Sequence, residues 1–169
     1  MSYAPEDGFP YYLNLVTDID FQLIFASSSN LTFLNSLTEK NGVYRYAPNK
    51  WSIKQIVGHI TDHERIKMYR AFLMSRNETV ELWGYDQNFL VENSRFEELT
   101  LQQLVIDFTN VRNASISFVE GLCERQLKIE GFAKQYKITL EDFLKSIIGH
   151  EIHHINIIKE RYTESKKNK

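Results

Sequence analysis

The sequence predicts an all-α protein folded as a four-helix bundle, and three observations carry that prediction. Ser52, Thr100 and Thr139 each stand three positions ahead of a side chain that can reach back to the backbone, namely Gln55, Gln103 and Asp142. Such pairs satisfy the free amides of a helix start, with Asp the weakest of the three partners. Rows of apolar residues then recur every three or four positions, the period of a helix with one buried face. Only three prolines and seven glycines interrupt 169 residues, which suits long helices.

Taken in order, the first helix is expected over 18–39 and is the least sharply bounded; Asn41-Gly42 offers it a left-handed stop. The second is expected over 52–76, carrying Ile53, Ile56, Val57, Ile60, Ile66, Phe72 and Leu73. The third begins at Thr100 and carries Leu101, Leu104, Val105, Phe108, Val111, Ser115, Phe118, Val119 and Leu122, ending at the polar Glu124-Arg125-Gln126. The fourth is expected over 139–162, with Phe143, Ile147, Ile148, Ile155, Ile157 and Ile158. Residues 77–99 form a long connection holding Trp83, Tyr85, Phe89 and Phe96. A link of that length is uncommon unless it is folded or functional, so it is expected to pack as a crossover over one end of the bundle. Residues 127–138 alternate weakly and leave room for two strands.

The chain length fits one domain, 1–169, with one substantial core. Hydrophobic residues at 43% and charged residues at 25% are ordinary for a globular protein. The formal net charge is −2, and the only basic block is the terminal Lys166-Lys167-Asn168-Lys169, which argues against nucleic-acid binding. No stretch approaches the roughly 20 apolar residues of a membrane span. The N-terminus lacks the basic cluster and apolar run of a signal peptide, so the cytoplasm is the default location. Cys123 is the single cysteine, which excludes an internal disulfide and fits a reducing compartment.

All five histidines fall on two predicted helices: His59 and His63 on the second, His150, His153 and His154 on the fourth. Spacing of i, i+4 puts two rings on one helix face, and neutral imidazole is a ligand for zinc, nickel and related ions. A lone helical histidine is more often a core or surface residue than a ligand; a pair joined by a second histidine-bearing helix points more strongly to a metal. His150-Glu151-Ile152-His153-His154 also satisfies H-E-x-x-H, in which Glu151 is the general base of a metalloprotease. Only fifteen residues follow His154, among them Glu160 and Glu164, and no substrate-binding strand is recognisable nearby, so a protease is not expected. Asp62, Glu64, Glu151 and Asp86 are available to orient ligand rings. Arg70 repeats the helical phase of His59 and His63, and either binds an anionic substrate group or pairs with a carboxylate.

Three segments together carry a family resemblance. Trp51-Ser52-Ile53-Lys54-Gln55-Ile56-Val57-Gly58-His59-Ile60-Thr61-Asp62-His63-Glu64-Arg65 resembles the second-helix signature of the DinB/YfiT-like superfamily. Ile148-Gly149-His150-Glu151-Ile152-His153-His154-Ile155 is similar to its fourth-helix signature, and Leu82-Trp83-Gly84-Tyr85-Asp86 to its loop. The resemblance implies an antiparallel four-helix bundle of unusual helix order, often a homodimer. It also implies one divalent metal ion, zinc or nickel, on His59, His150 and His154. His63 and His153 do not match ligand positions; His63, one turn past His59, is the reserve ligand. His153 lies about 80° from the bisector of the 150/154 pair at 100° per residue.

What the resemblance implies about activity divides in two. One form is a thiol S-transferase of the bacillithiol-transferase type, acting on a small-molecule substrate with a low-molecular-weight thiol. The other is a small-molecule hydrolase in which Glu151 takes the proton. A different class altogether is a bundle that holds a metal or small ligand without turnover, since fold alone licenses no activity. Phe21, Phe25, Phe33 and Phe72 offer more aromatic surface than one core consumes, as a homodimer would need.

Overall fold

The N-terminal third is a run of short pieces where the sequence predicts one helix. In the computed structural model, which describes residues 3–17, 19–78, 84–133 and 136–163, a single 3-10 turn (Pro5–Asp7) precedes four short helices. These are α1 (Phe9–Asn14), α2 (Phe21–Ala26), α3 (Ser29–Asn35) and α4 (Glu39–Gly42). The interruption between α2 and α3 falls on Ser27-Ser28-Ser29, with the Ser27 and Ser29 hydroxyls 3.2 Å apart. Serine hydroxyls compete with the backbone bonds of a helix. Thr38 then opens α4 with its own capping box to Asn41. Asn41-Gly42 is not a left-handed stop, because positive φ among the described residues occurs at Gly8, Asn49 and Asn77. Gly42 serves close packing instead: a Cβ there would meet Leu101 at 3.2 Å. Asp18, the expected first residue of the helix, lies outside the described residues.

The three long helices begin where the sequence places them. α5 (Ile53–Ser75) is capped by Ser52 and Gln55. It ends at Asn77, whose φ of 58° lets the amides of Asn77 and Glu78 return to the carbonyls of Met74 and Leu73. α6 (Gln87–Glu92) interrupts the long connection, with Asp86 accepting from the amides of Asn88 and Phe89. α6 packs on α5, as a folded crossover should; Trp83 lies outside the described residues. α7 (Leu101–Glu120) is capped by Thr100 and Gln103. A short α8 (Glu124–Leu127) leads to an antiparallel hairpin, β1 (Glu130–Ala133) and β2 (Tyr136–Thr139), in register Glu130↔Thr139 to Ala133↔Tyr136. α9 (Leu140–Ile157), capped by Thr139 and Asp142, continues into a π-helical turn, Ile158–Thr163. Glu164 and the terminal lysines lie outside the described residues.

α9 lies against α1, α2 and α5, while α7 lies against α2, α3 and α5. The apolar core divides into two clusters. One joins Ile53–Ile60 of α5, Leu101–Phe108 of α7 and Ile155 and Ile158. The other joins Ala71 of α5, Val119 of α7, and Phe143, Leu144, Ile147 and Ile148 of α9 to Ile24 and Phe25. On α5, α7 and α9 the stretches between these clusters carry buried polar groups: His63 and Glu64, Arg112 and Ser115, His150 and Glu151. Of the phenylalanines expected to be in surplus, Phe25 is consumed by the core and Phe72 is exposed. Among the described residues no helix is long and apolar enough to cross a membrane.

Candidate metal centre

Two helices bring the imidazoles together, and a glycine precedes one histidine on each. Gly58 is covered by the Phe96 ring, so close that a Cβ would lie 2.5 Å from three of its carbons. Gly149 is crossed by α1, and a Cβ there would collide with the carbonyl of Tyr12. The absent side chains let neighbouring segments close directly over the turns that carry His59 and His150. Both histidines are buried, at 3% exposure each.

The Nε2 atoms of His59 and His150 approach to 3.1 Å. His154 completes the group, and one nitrogen from each of the three rings lies within 4.8 Å of the others. Tetrahedral coordination at about 2.0–2.1 Å per nitrogen needs separations near 3.5 Å. One pair meets that span and the triangle as a whole is wider. Burial keeps all three rings neutral: it lowers the pKa of His59 to about 4 and those of His150 and His154 well below the ordinary value. Neutral, desolvated imidazoles converging on one point are a donor set that fits a borderline divalent cation.

His63 belongs to the wall of the site. Its ring stacks on that of His150 at 3.6 Å between centroids, and its Nδ1 lies 2.6 Å from the Tyr85 hydroxyl. Burial pushes the Tyr85 phenol up to about 12, so it keeps its proton at neutral pH. His153 points elsewhere: its Nδ1 lies 3.0 Å from the Tyr11 hydroxyl, and its ring packs edge-on against Tyr11 and Tyr12. Trp51 lies against His59 and His154, and Tyr12 lies edge-on to His150.

None of the four carboxylates considered from sequence as ring-orienting acceptors makes that contact among the described residues. Asp62 accepts from Arg65, and Asp86 caps α6. Glu64 takes a two-pronged bond from Arg112 at 2.7 and 3.0 Å. Glu151, the candidate general base, accepts from Arg112 at 2.5 Å through one oxygen and from Asn30 at 2.8 Å through the other. The reason is helical: one residue past His150, its side chain is turned about 100° away from the imidazole face. Each oxygen accepts one bond, and Glu151 sits in a buried ion pair with Arg112.

Sequence reasoning missed three contributors. Arg112 is 3% exposed, and its signal was present: 101, 104, 108, 112, 115 and 119 form one helical row, so a charge inside it had to be paired. Burial disfavours its guanidinium charge, and Glu151 and Glu64 more than offset this, raising its pKa. Tyr11 and Tyr12 sit on α1, a helix of six residues too short to announce itself by periodicity.

Comparison with known proteins agrees with this picture. The family model of the DinB superfamily matches residues 22–158. Among solved structures, YfiT from Bacillus subtilis, described as a probable metal-dependent hydrolase with an unusual four-helix bundle topology, superposes with a TM-score of 0.71. The match covers 97% of this chain and 90% of that one at 19% identity, a likeness of fold. No curated protein matches the chain.

Proposed function

Because this chain belongs to the DinB superfamily, we propose that it is a metal-dependent enzyme acting on a small molecule, with zinc or nickel held by His59, His150 and His154. The observation that carries this reading is the convergence of three buried imidazole nitrogens within 4.8 Å. Three protein ligands leave a coordination position for a reactant. Bound there, a divalent cation supplies Lewis acidity, lowering the pKa of a thiol or water beside it. The chain's own residues exclude bulk water with the Trp51 and Tyr12 rings. The Tyr85 hydroxyl shares a hydrogen bond with His63 Nδ1 and fixes the ring that stacks on His150.

The commitment of Glu151 to Arg112 and Asn30 favours the thiol S-transferase form over the hydrolytic one. A thiol titrates near pH ~8.5, within reach of ionisation by a cation alone, whereas water begins near ~15.7 and gains more from a carboxylate base. In this form the thiol sulfur bonds to an electrophilic carbon, the leaving group departs with the bonding pair, and the thiol proton passes to solvent. Hydrolysis, the activity ascribed to YfiT, is the competing form. Turnover of a low-molecular-weight thiol with 1-chloro-2,4-dinitrobenzene, set against ester and amide hydrolysis, separates them. Transfer that His150→Ala abolishes supports the proposal. A metal-loaded protein inert to both panels would make it a binding bundle. Exposed Tyr69 and Phe72 on α5 further support a homodimer, which a purely monomeric mass by light scattering would overturn.

A further inference from the structure

Trp51 stands just ahead of the Ser52 cap of α5, and its indole flanks two of the clustered imidazoles. The ring centroid lies 4.8 Å from that of His59 and 6.4 Å from that of His154, stacked on the latter at 27°. The backbone that carries the indole is held at two points. The Ser52 hydroxyl accepts the amide of Gln55 at 3.2 Å and donates to Glu97. The Trp51 carbonyl itself accepts the Tyr162 hydroxyl at 2.6 Å. Tyr162 is 5% exposed, with Tyr44 and Tyr46 edge-on to it at 6.0 and 5.0 Å between centroids. Burial pushes its phenol up to about 12, so it remains a donor at neutral pH. The π-helical turn Ile158–Thr163 puts Tyr162 there. Continued α-helical steps of about 100° would turn position 162 about 80° away from His154. A π turn bonds five residues back instead of four, so it takes in one extra residue and offsets most of that rotation. Such turns are rare, and they recur at functional sites.

We infer that Tyr162 is a positioning residue of the metal centre: its bond to the Trp51 carbonyl ties the end of α9 to the start of α5 and holds the indole against His59 and His154. His59 belongs to α5, and His150 and His154 to α9. The one bond therefore spans the two helices whose relative placement a three-nitrogen site depends on. With the backbone fixed at Trp51 and Ser52, the direction in which the indole leaves the chain is fixed as well, and the ring keeps water from that side of the imidazoles. Phenylalanine at position 162 would keep the ring packing with Tyr44 and Tyr46 and lose the bond alone. The carbonyl left behind would then need water as its partner, and the indole would loosen with it. This inference rests on the proposed metal centre for what the indole covers; the tie between the two helices needs no ion.

The chain has two tryptophans, so Trp83→Phe leaves Trp51 as the only indole and serves as the parent of every variant. Two readouts are taken on the full chain: quenching of the indole fluorescence by acrylamide without metal, and the rate at which excess chelator withdraws bound Ni²⁺. Tyr162→Phe should raise the quenching and speed nickel release about fivefold, the factor that one hydrogen bond carries. Trp51→Phe should speed release at least as much. Adding Tyr162→Phe to it should change little further, because the one side chain acts through the other. Val119→Ala loosens the second core cluster, away from Trp51, and should leave both readouts unchanged, which separates positioning from a general loss of stability. Far-UV circular dichroism certifies that each variant folds. Quenching and release in Tyr162→Phe equal to those of the parent overturn the inference. So do effects of the two substitutions that multiply independently, or an equal response to Val119→Ala. A parent that binds no nickel, while Tyr162→Phe still exposes the indole, would sink the metal centre and leave the tie standing. Firm nickel binding beside an indole indifferent to Tyr162→Phe would do the reverse.

Discussion

The same two turns of α5 and α9 build two buried polar regions that meet opposite fates. His63 and His150 face one way, while their sequence neighbours Glu64 and Glu151 face another, about 100° around each helix. The carboxylate side is closed by a cation of the chain itself: Arg112 binds both acids, and Asn30 takes the remaining oxygen of Glu151. The imidazole side brings ring nitrogens together, with those of His59 and His150 3.1 Å apart and sharing a hydrogen bond. The first region is complete as folded and holds α5, α7 and α9 in register. The second has the composition of a ligand set, whose cation would come from solution. Buried polarity alone therefore does not mark a functional site; what marks it is a donor set that the protein's own charges do not close.

Breaking the closed region should have the largest effect. Arg112→Leu leaves two carboxylates buried against each other, and loss of one partner of a buried pair costs about 3–5 kcal/mol. Urea unfolding should show this loss, and adding Glu64→Gln and Glu151→Gln should recover most of it. A single variant as stable as the wild type would mean that Arg112 is not what balances the two acids.

Acid should open the imidazole side. Burial lowers the pKa of His59 from 6.5 to about 4 and moves His63, His150 and His154 in the same direction. The unfolded chain thus takes up protons first, so the stability in question is present above pH ~6.5 and drains away as pH falls toward ~4. His59 alone contributes on the order of 3 kcal/mol. Unfolding in chelator at pH ~7.5, ~5.5 and ~4.5 measures the slope. Constant stability across that range would show that the rings are solvated.

A smaller effect is expected at the glycine that lets α1 close over α9. Gly149→Ala improves helix propensity by up to about 1 kcal/mol, yet its Cβ collides with the Tyr12 carbonyl. Net destabilisation of about 2 kcal/mol is expected, in the range of overpacked cores. A stabilised variant would show that α1 docks loosely.

Much of this architecture was legible. The boundaries of α5, α7 and α9 were written in Ser52, Thr100 and Thr139, because capping is local chemistry. The convergence of His59, His150 and His154 was foreseen through the family resemblance, and the i, i+4 spacing explains half of it. The broken first helix was hidden because its apolar residues keep helical spacing across Ser27-Ser28-Ser29. The true destination of Glu151 was hidden because it depends on Arg112, 39 residues away in sequence, and on which face of α9 meets α7. The hairpin showed only as weak alternation, since four-residue strands carry little periodicity.

The central claim is that His59, His150 and His154 hold a divalent cation, and the most direct measurement is metal-dependent thermal stability of protein purified without a histidine tag. At pH ~7.5 a hundredfold excess of zinc or nickel over Kd should add about 2.7 kcal/mol, a rise of several degrees in Tm for a chain of this size. His150→Ala should abolish the rise and the bound metal. His153→Ala should leave both almost untouched, because its ring is engaged with Tyr11 and Tyr12. A metal-dependent rise that survives in His150→Ala and disappears in His153→Ala would place the cation on the other face of α9 and contradict the account.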